Sequence, residues 1–245
     1  WEEQLQWLGS GEPFVLARVI RTWRSAPRKA GAGMLIGKGM RVAGSVSGGC
    51  IEGAVIEEAL EVLESGKSRQ LSYGVEDDLA LSVGLSCGGE VSVLAEKHWA
   101  FSADPQTKEV WNALQNSIRN NCPAILISPL PSAGASSRGN QSELLVLPGG
   151  ENVGGFQENR EEAVALAEEA YNGRENRIVE IAGKEVFIQV FPRRDQLLII
   201  GAGHISIPLV SFAKELDFRT IVIDPRRVFA NPERFPVPPD QLISK

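Results

Sequence analysis

Histidine, cysteine and tyrosine are scarce in this chain: two, three and two residues in 245. Three cysteines, an odd number in a chain this long, make no secreted disulfide framework and point to a reducing cytoplasm. No apolar run approaches the roughly 20 residues of a membrane span, and no stretch reads as a signal peptide. No run of five or more like charges forms an interaction tail. The formal net charge of -6 and the pI near 5.2 exclude a basic nucleic-acid surface. Neither nucleic acid nor membrane is expected as a partner. The first residue is Trp1 rather than Met, so a few preceding residues are expected.

What remains is ordinary globular composition, 43% hydrophobic and 23% charged. It suits one or two domains with a core that needs no disulfide staples. The stretch 14–23 (FVLARVIRTW) is rich in Val, Ile, Phe and Trp and reads as a strand, followed by the Pro/Gly loop 25–33. Two short strands around "KG" form a hairpin. The stretch 50–66 reads as a helix, with Ile51, Val55, Ala59 and Val62 on one face and Gly66 as its stop. A strand at 69–74, a short helix opening at "EDD" (76–78), a second Cys/Gly loop and the strand "EVSVLAE" follow. Residues 107–121 and 159–173 are helical, and strands "PAILIS" and "ELLVLP" flank a Ser/Gly/Pro-rich loop at 129–142. Residues 177–191 form a hairpin turning at "AGKE". No internal repeat is evident.

After the linker "PRRDQ" (192–196) the pattern changes. "LLIIGAGHIS" is a buried-type strand entering a glycine turn, then a helix, then the strand "TIVIDPRR": the first βαβ of a dinucleotide-type fold. The fold class is α/β, with an N-terminal mixed α/β domain over 1–191. The beginning of a Rossmann-like domain follows over 197–245, read as truncated because only about 20 Pro-rich residues come after the second strand.

Two loops invite chemistry. Ser47, Gly48, Gly49 and Cys50 precede a helix, where unpaired amides and the dipole favour an anion, glycines let a ligand approach the backbone, and a thiol is favoured as thiolate. Cys87, Gly88 and Gly89 nearly mirror them. Two such thiols could bind a soft metal, or a metal carried on a phosphate-bearing ligand. A structural zinc fits less well: neither loop is a CxxC and no nearby His completes a set of four. Arg28 and Lys29 lie in a Gly/Pro loop that could clamp a phosphate or carboxylate. His98 reads as a surface residue and Cys122 as packing. In "GAGHIS", Gly201 and Gly203 suit a pyrophosphate turn, Ser206 stands at the third glycine position, and Asp224 lies where an acid holds a ribose 2′-hydroxyl. Pro208 sits awkwardly in the first turns of that helix.

These motifs, in this order, resemble the XdhC/CoxI family, accessory proteins of molybdenum hydroxylases such as xanthine dehydrogenase and carbon monoxide dehydrogenase. The likeness runs through "RTWRSAPRKAGAGMLI", "GSVSGGCIE", "DDLALSVGLSCGGEVSVL" and "GAGHIS…VIDPRRVFANPERFP". It implies a protein that binds the molybdenum cofactor, supports its sulfuration with a cysteine desulfurase, and hands it to an apo-hydroxylase. Cys50 and Cys87 are carried over as candidate thiols near molybdenum. Arg24 departs from the small residue usual in relatives. A cytoplasmic homodimer is expected. The alternatives are an NAD(P)-dependent oxidoreductase using the "GAGHIS" turn for NAD(P) or another nucleotide, and a metal-thiolate protein or scaffold with inert cysteines. With no iron–sulfur or flavin signature, the chain is read as a maturation factor rather than the catalyst.

Overall fold

In the computed structural model, residues 2–24, 26–74, 89–131, 142–156 and 159–244 are described. They form two units, Trp1–Pro192 and Arg193–Lys245. The sequence-read loop at 129–142, the acidic "EDD" helix, and Cys87 with Gly88 lie wholly or largely outside the described residues.

The first unit begins with α1 (Glu2–Gly9) and the long strand β1 (Phe14–Trp23). β1 has seven consecutive buried residues, as a central strand covered on both faces requires. β2 (Gly33–Gly37), β3 (Val42–Gly44), helix α2 (Glu52–Ser65), β4 (Arg69–Tyr73) and β5 (Glu90–Lys97) complete one sheet, ordered β3-β2-β1-β5-β4 and antiparallel throughout. Helix α3 (Pro105–Arg119) is started by Asp104, whose side chain accepts the amides of Gln106 and Thr107, with Pro105 at its first position.

The chain then repeats itself. β6 (Ala124–Pro129), β7 (Leu144–Val146), β8 (Asn152–Gly154), α4 (Arg160–Gly173), β9 (Arg177–Ile181) and β10 (Lys184–Phe191) build a second antiparallel sheet, ordered β8-β7-β6-β10-β9. Strand for strand this is the first order again, with a helix after the third strand in both. No repeat is evident in the sequence because the halves share topology, not motifs: the Cys/Gly motif of residues 47–50 has no counterpart in the sequence before α4.

The halves stack as helix, sheet, sheet, helix. One face of β1 (Val15, Ala17, Val19) packs under α2 through Val55, Ala59 and Val62. Ile125, Ile127, Val186 and Ile188 pack under the alanine stripe of α4. The inner faces meet through Phe14, Leu16, Ala124 and Leu126, with α3 closing one flank and Ile20, Leu94 and Phe187 the other. Each fully buried side chain of this kind contributes about 1.5–3 kcal/mol of transfer free energy.

An ion pair is sealed between the sheets. The Arg18 guanidinium donates to Glu96 Oε1 at 2.6 Å, Ser128 Oγ at 3.1 Å and Gln189 Oε1 at 2.9 Å, so both halves hold it. His98 is fully buried rather than on the surface, its ring against Phe14 and Trp111. Burial and the nearby Arg18 charge push its pKa down to about 3, so it is neutral at physiological pH. Cys122 is exposed rather than packed, because it stands in the turn before β6 and not on the strand.

The second unit is a parallel sheet. β11 (Gln196–Ile200), α5 (Ser206–Glu215), β12 (Arg219–Ile223) and β13 (Gln241–Ile243) give the order β11-β12-β13. This is the opening half of a Rossmann arrangement. Pro208 is no strain there: it is the third residue of α5, where an amide would have no carbonyl four residues back.

Candidate functional site

The turn between β3 and α2 is built around one carboxylate. Gly48 and Gly49 have φ of 86° and 124°, left-handed backbone that glycine adopts without strain. That curl points successive amides inward, onto Glu52 at the first position of α2. Glu52 Oε1 accepts the N–H of Val46 at 3.3 Å, Ser47 at 2.9 Å and Gly48 at 3.0 Å, and the Ser45 hydroxyl at 2.6 Å. Oε2 accepts the Gly49 N–H at 2.9 Å and the Ser47 hydroxyl. Ser47 Oγ in turn accepts the amides of Cys50 and Ile51, each at 3.1 Å. Every amide from 46 to 51 therefore has a partner inside the turn.

Partial burial alone would raise the Glu52 pKa. The hydroxyls of Ser45 and Ser47 and the Ser47 amide outweigh it and hold the group at about 2. The amide cradle that the glycines announce is real, and the chain's own carboxylate occupies it. What the turn leaves free is the Cys50 thiol, half-buried against the α2 side of the core. Glu52 is the residue that sequence reading missed. Its signal was there: an acid two residues past the cysteine, at the mouth of the helix.

The neighbourhood adds positive charge. A Cβ at Gly48 would lie 3.5 Å from the Pro27 side chain, so the loop carrying Arg28 abuts the Cys50 turn. Arg28 and Lys29 are exposed. Arg24 points outward and stacks on Trp23, its guanidinium carbon 4.1 Å from the ring centre. Gly89 is buried and leads into β5, while Cys87 and Gly88 are outside the described residues.

The turn at Gly201–Ser206 is built differently. Gly201 has φ of 100° and its N–H donates to Ile223 O, clamping the turn to β12. No acid lies in the first turn of α5 and no side chain caps it. The N–H groups of Gly203, His204 and Ile205 have no acceptor among the described residues. A Cβ at Gly203 would meet nothing within 4 Å. Ser206 donates its hydroxyl to Gly203 O, standing in for the third glycine with a small buried group.

Asp224 follows β12 as the sequence spacing required, but its carboxylate is fully buried. It accepts the Ala202 N–H at 2.8 Å and the Arg226 N–H at 2.9 Å, and Arg226 grips it through Nε at 3.0 Å and Nη2 at 2.9 Å. These donors, the Arg226 guanidinium foremost, hold the carboxyl well below the usual carboxylate range.

A thiol-bearing turn in one α/β unit and an open glycine turn in a second, Rossmann-like unit define a two-part α/β protein. Residues 7–74 match the XdhC and CoxI family model and residues 197–241 match the XdhC Rossmann domain model. Over 240 residues it is 26% identical to a Bacillus subtilis protein named as a probable subunit of xanthine dehydrogenase, covering 95% of this chain and 66% of that protein. Over 90 residues it is 38% identical to the molybdenum cofactor insertion chaperone PaoD of Escherichia coli, covering 37% of this chain and 28% of PaoD. The crystal structure of a xanthine dehydrogenase from Bacillus halodurans superposes with a TM-score of 0.76 at 25% identity, over 100% of this chain and 67% of that one. The chain thus spans just under two thirds of the Bacillus subtilis relative and little more than a quarter of PaoD.

Proposed function

We propose that this chain is an accessory protein of molybdenum-hydroxylase maturation, with the molybdenum cofactor as its cargo. It receives the cofactor, supports its sulfuration together with a cysteine desulfurase, and passes it to a client of the xanthine dehydrogenase or carbon monoxide dehydrogenase type. The observation that carries this reading is the Cys50 thiol, held half-buried on a turn that Glu52 locks from within. A soft thiolate suits molybdenum, and Cys87 is the second candidate thiol. Because Glu52 fills the amide cradle, the phosphate of the cargo is met elsewhere, and exposed Arg28 and Lys29 stand on the loop that abuts the Cys50 turn. The match to the XdhC and CoxI family model and the likeness to the molybdenum cofactor insertion chaperone PaoD support the reading. The homodimer and the cytoplasmic location belong to the same proposal.

The test is a titration of isolated molybdenum cofactor into the wild-type protein, Cys50→Ala and Cys50→Ala/Cys87→Ala, read as molybdenum bound per chain. Stoichiometric binding that collapses in the variants supports thiol capture. Equal binding in all three removes the thiols from the reading, and no binding in any removes the cargo.

A second reading concerns the other unit. The amides at Gly203–Ile205, without an acceptor among the described residues, and the open space over Gly203 favour a nucleotide phosphate at that turn, with NAD(P) as one form it could take. A titration of the full chain with nicotinamide dinucleotides, followed by fluorescence, tests it.

A further inference from the structure

We propose that the nucleotide turn of the second unit selects a ribose that carries a phosphate, and that Arg226 reads that phosphate. This rests on the reading of Gly201–Ser206 as a nucleotide site.

In a βαβ nucleotide unit the ribose of the adenosine half meets the end of the second strand. A free carboxylate there accepts from the 2′-hydroxyl and repels a phosphate in its place. Asp224 occupies that position, yet it is closed to a ribose. A carboxylate offers about four acceptor sites. Those of Asp224 are taken by the Ala202 amide, the Arg226 amide, Arg226 Nε and Arg226 Nη2, and no part of the residue reaches solvent. A ribose hydroxyl finds no acceptor there without displacing a guanidinium.

What faces solvent at the strand end is the arginine itself. The Arg226 side chain is 61% exposed. One edge is fixed by Asp224, and its face lies over the Phe229 ring at 4.2 Å. Phe229 is itself held: Arg234 stacks on it at 4.8 Å and donates through Nη1 to Ala202 O and Phe229 O. The glycine turn, the acid and the two arginines are therefore one connected framework, with Ala202 bonded to both Asp224 and Arg234. Arg226 Nη1 has no partner among the described residues, and Arg227, the next residue, is also exposed. A planar guanidinium held in place by its other donors is matched to a phosphate, which it binds through charge-assisted hydrogen bonds. Asp224 acts here as a positioning residue for Arg226 rather than as a ribose ligand.

The experiment is calorimetric titration of the full chain with 2′,5′-ADP against ADP, and with NADPH against NADH. The phosphorylated member of each pair is expected to bind at least tenfold more tightly. Arg226→Lys keeps a cation against buried Asp224, so the unit stays folded, but it loses the planar fork. The preference should then shrink several-fold while ADP affinity stays. Arg226→Ala should abolish the preference, with folding of the variant checked by circular dichroism. Equal or tighter binding of ADP and NADH by the wild type overturns the selection alone, as does an unchanged ratio in Arg226→Lys. No binding of any of the four overturns the nucleotide reading and the selection together.

Discussion

The glycine turn before α2 is closed and the glycine turn before α5 is open. In the first, the helix supplies its own anion: Glu52 gathers the amides of residues 46–49 and two serine hydroxyls. In the second, no acid stands in the first turn and the leading amides have no acceptor among the described residues. Glycines and a helix dipole specify a nest of donors; they do not specify its occupant. A self-filled nest makes a rigid mount for a neighbouring side chain, here Cys50. An empty one leaves its amides open to an anion.

The largest effect expected from breaking this contrast is at Glu52. Glu52→Ala leaves the amides of Val46, Ser47 and Gly49 without their acceptor, while the Gly48 N–H keeps the Ser45 hydroxyl. Water reaches Gly48 and Gly49 but not Ser47, so we expect a loss of about 2–3 kcal/mol in urea unfolding of the full chain. The variant should also turn the closed nest into an open one: acetate or inorganic phosphate at millimolar concentration should recover part of the loss, and neither should affect the wild type. Recovery by neither anion would show that the turn collapses without its carboxylate.

The next effect is the pH dependence of the same group. The folded pKa of Glu52, about 2, lies below its ordinary value of 4.5. A depressed carboxylate contributes stability above its unfolded pKa and loses it as pH falls through the folded one. The wild type should therefore exceed Glu52→Gln by about 1–2 kcal/mol at neutral pH, after discounting for solvent screening, with the gap closing between pH 4.5 and 2. His98 must also be charged in acid, from pH 6.5 downward towards 3, but it is present in both proteins and cancels in the difference. A gap that stays constant with pH would mean the carboxylate's charge is not what the turn uses.

A smaller effect belongs to the open turn. Gly201 has φ of 100° with free space around it, so Gly201→Ala carries backbone strain and no clash. About 1–2 kcal/mol of destabilisation of the second unit is expected, measured by hydrogen exchange at Ile199 and Val222.

How much of this was legible in the chain differs between the two turns. β1, the hairpin at 177–191 and the strand–turn–helix–strand of the second unit follow from β-branched runs and turn residues, and the structure places them where those patterns fall. The duplicated strand order was not legible, because strand order is set by pairing between distant segments that local pattern does not encode. His98 looked like a surface residue because its burial depends on α3, which delivers Trp111 against it. At the sites, the glycines and Cys50 were readable as a motif. The roles of Glu52 and Arg226 were not: each acts by folding back on a residue two to seven positions away, and only the backbone curl decides whether it points in or out.

The smallest change separates mount from receptor most cleanly. Gly203 takes an ordinary φ, and a Cβ there meets no atom within 4 Å, so Gly203→Ala should leave stability within about 0.5 kcal/mol of wild type. That same empty space is where a phosphate must come to reach the amides of Gly203–Ile205. A methyl group there keeps it from closing to hydrogen-bond distance, so 2′,5′-ADP affinity should fall several-fold with the melting curve unchanged. Gly49→Ala is the mirror control: its Cβ also meets nothing, but φ of 124° strains it, and Glu52 already fills the nest behind it. It should lower stability and leave nucleotide affinity untouched. If Gly203→Ala instead binds 2′,5′-ADP as well as wild type does, the open turn is open without being a receptor, and the two turns differ only in how each caps its helix.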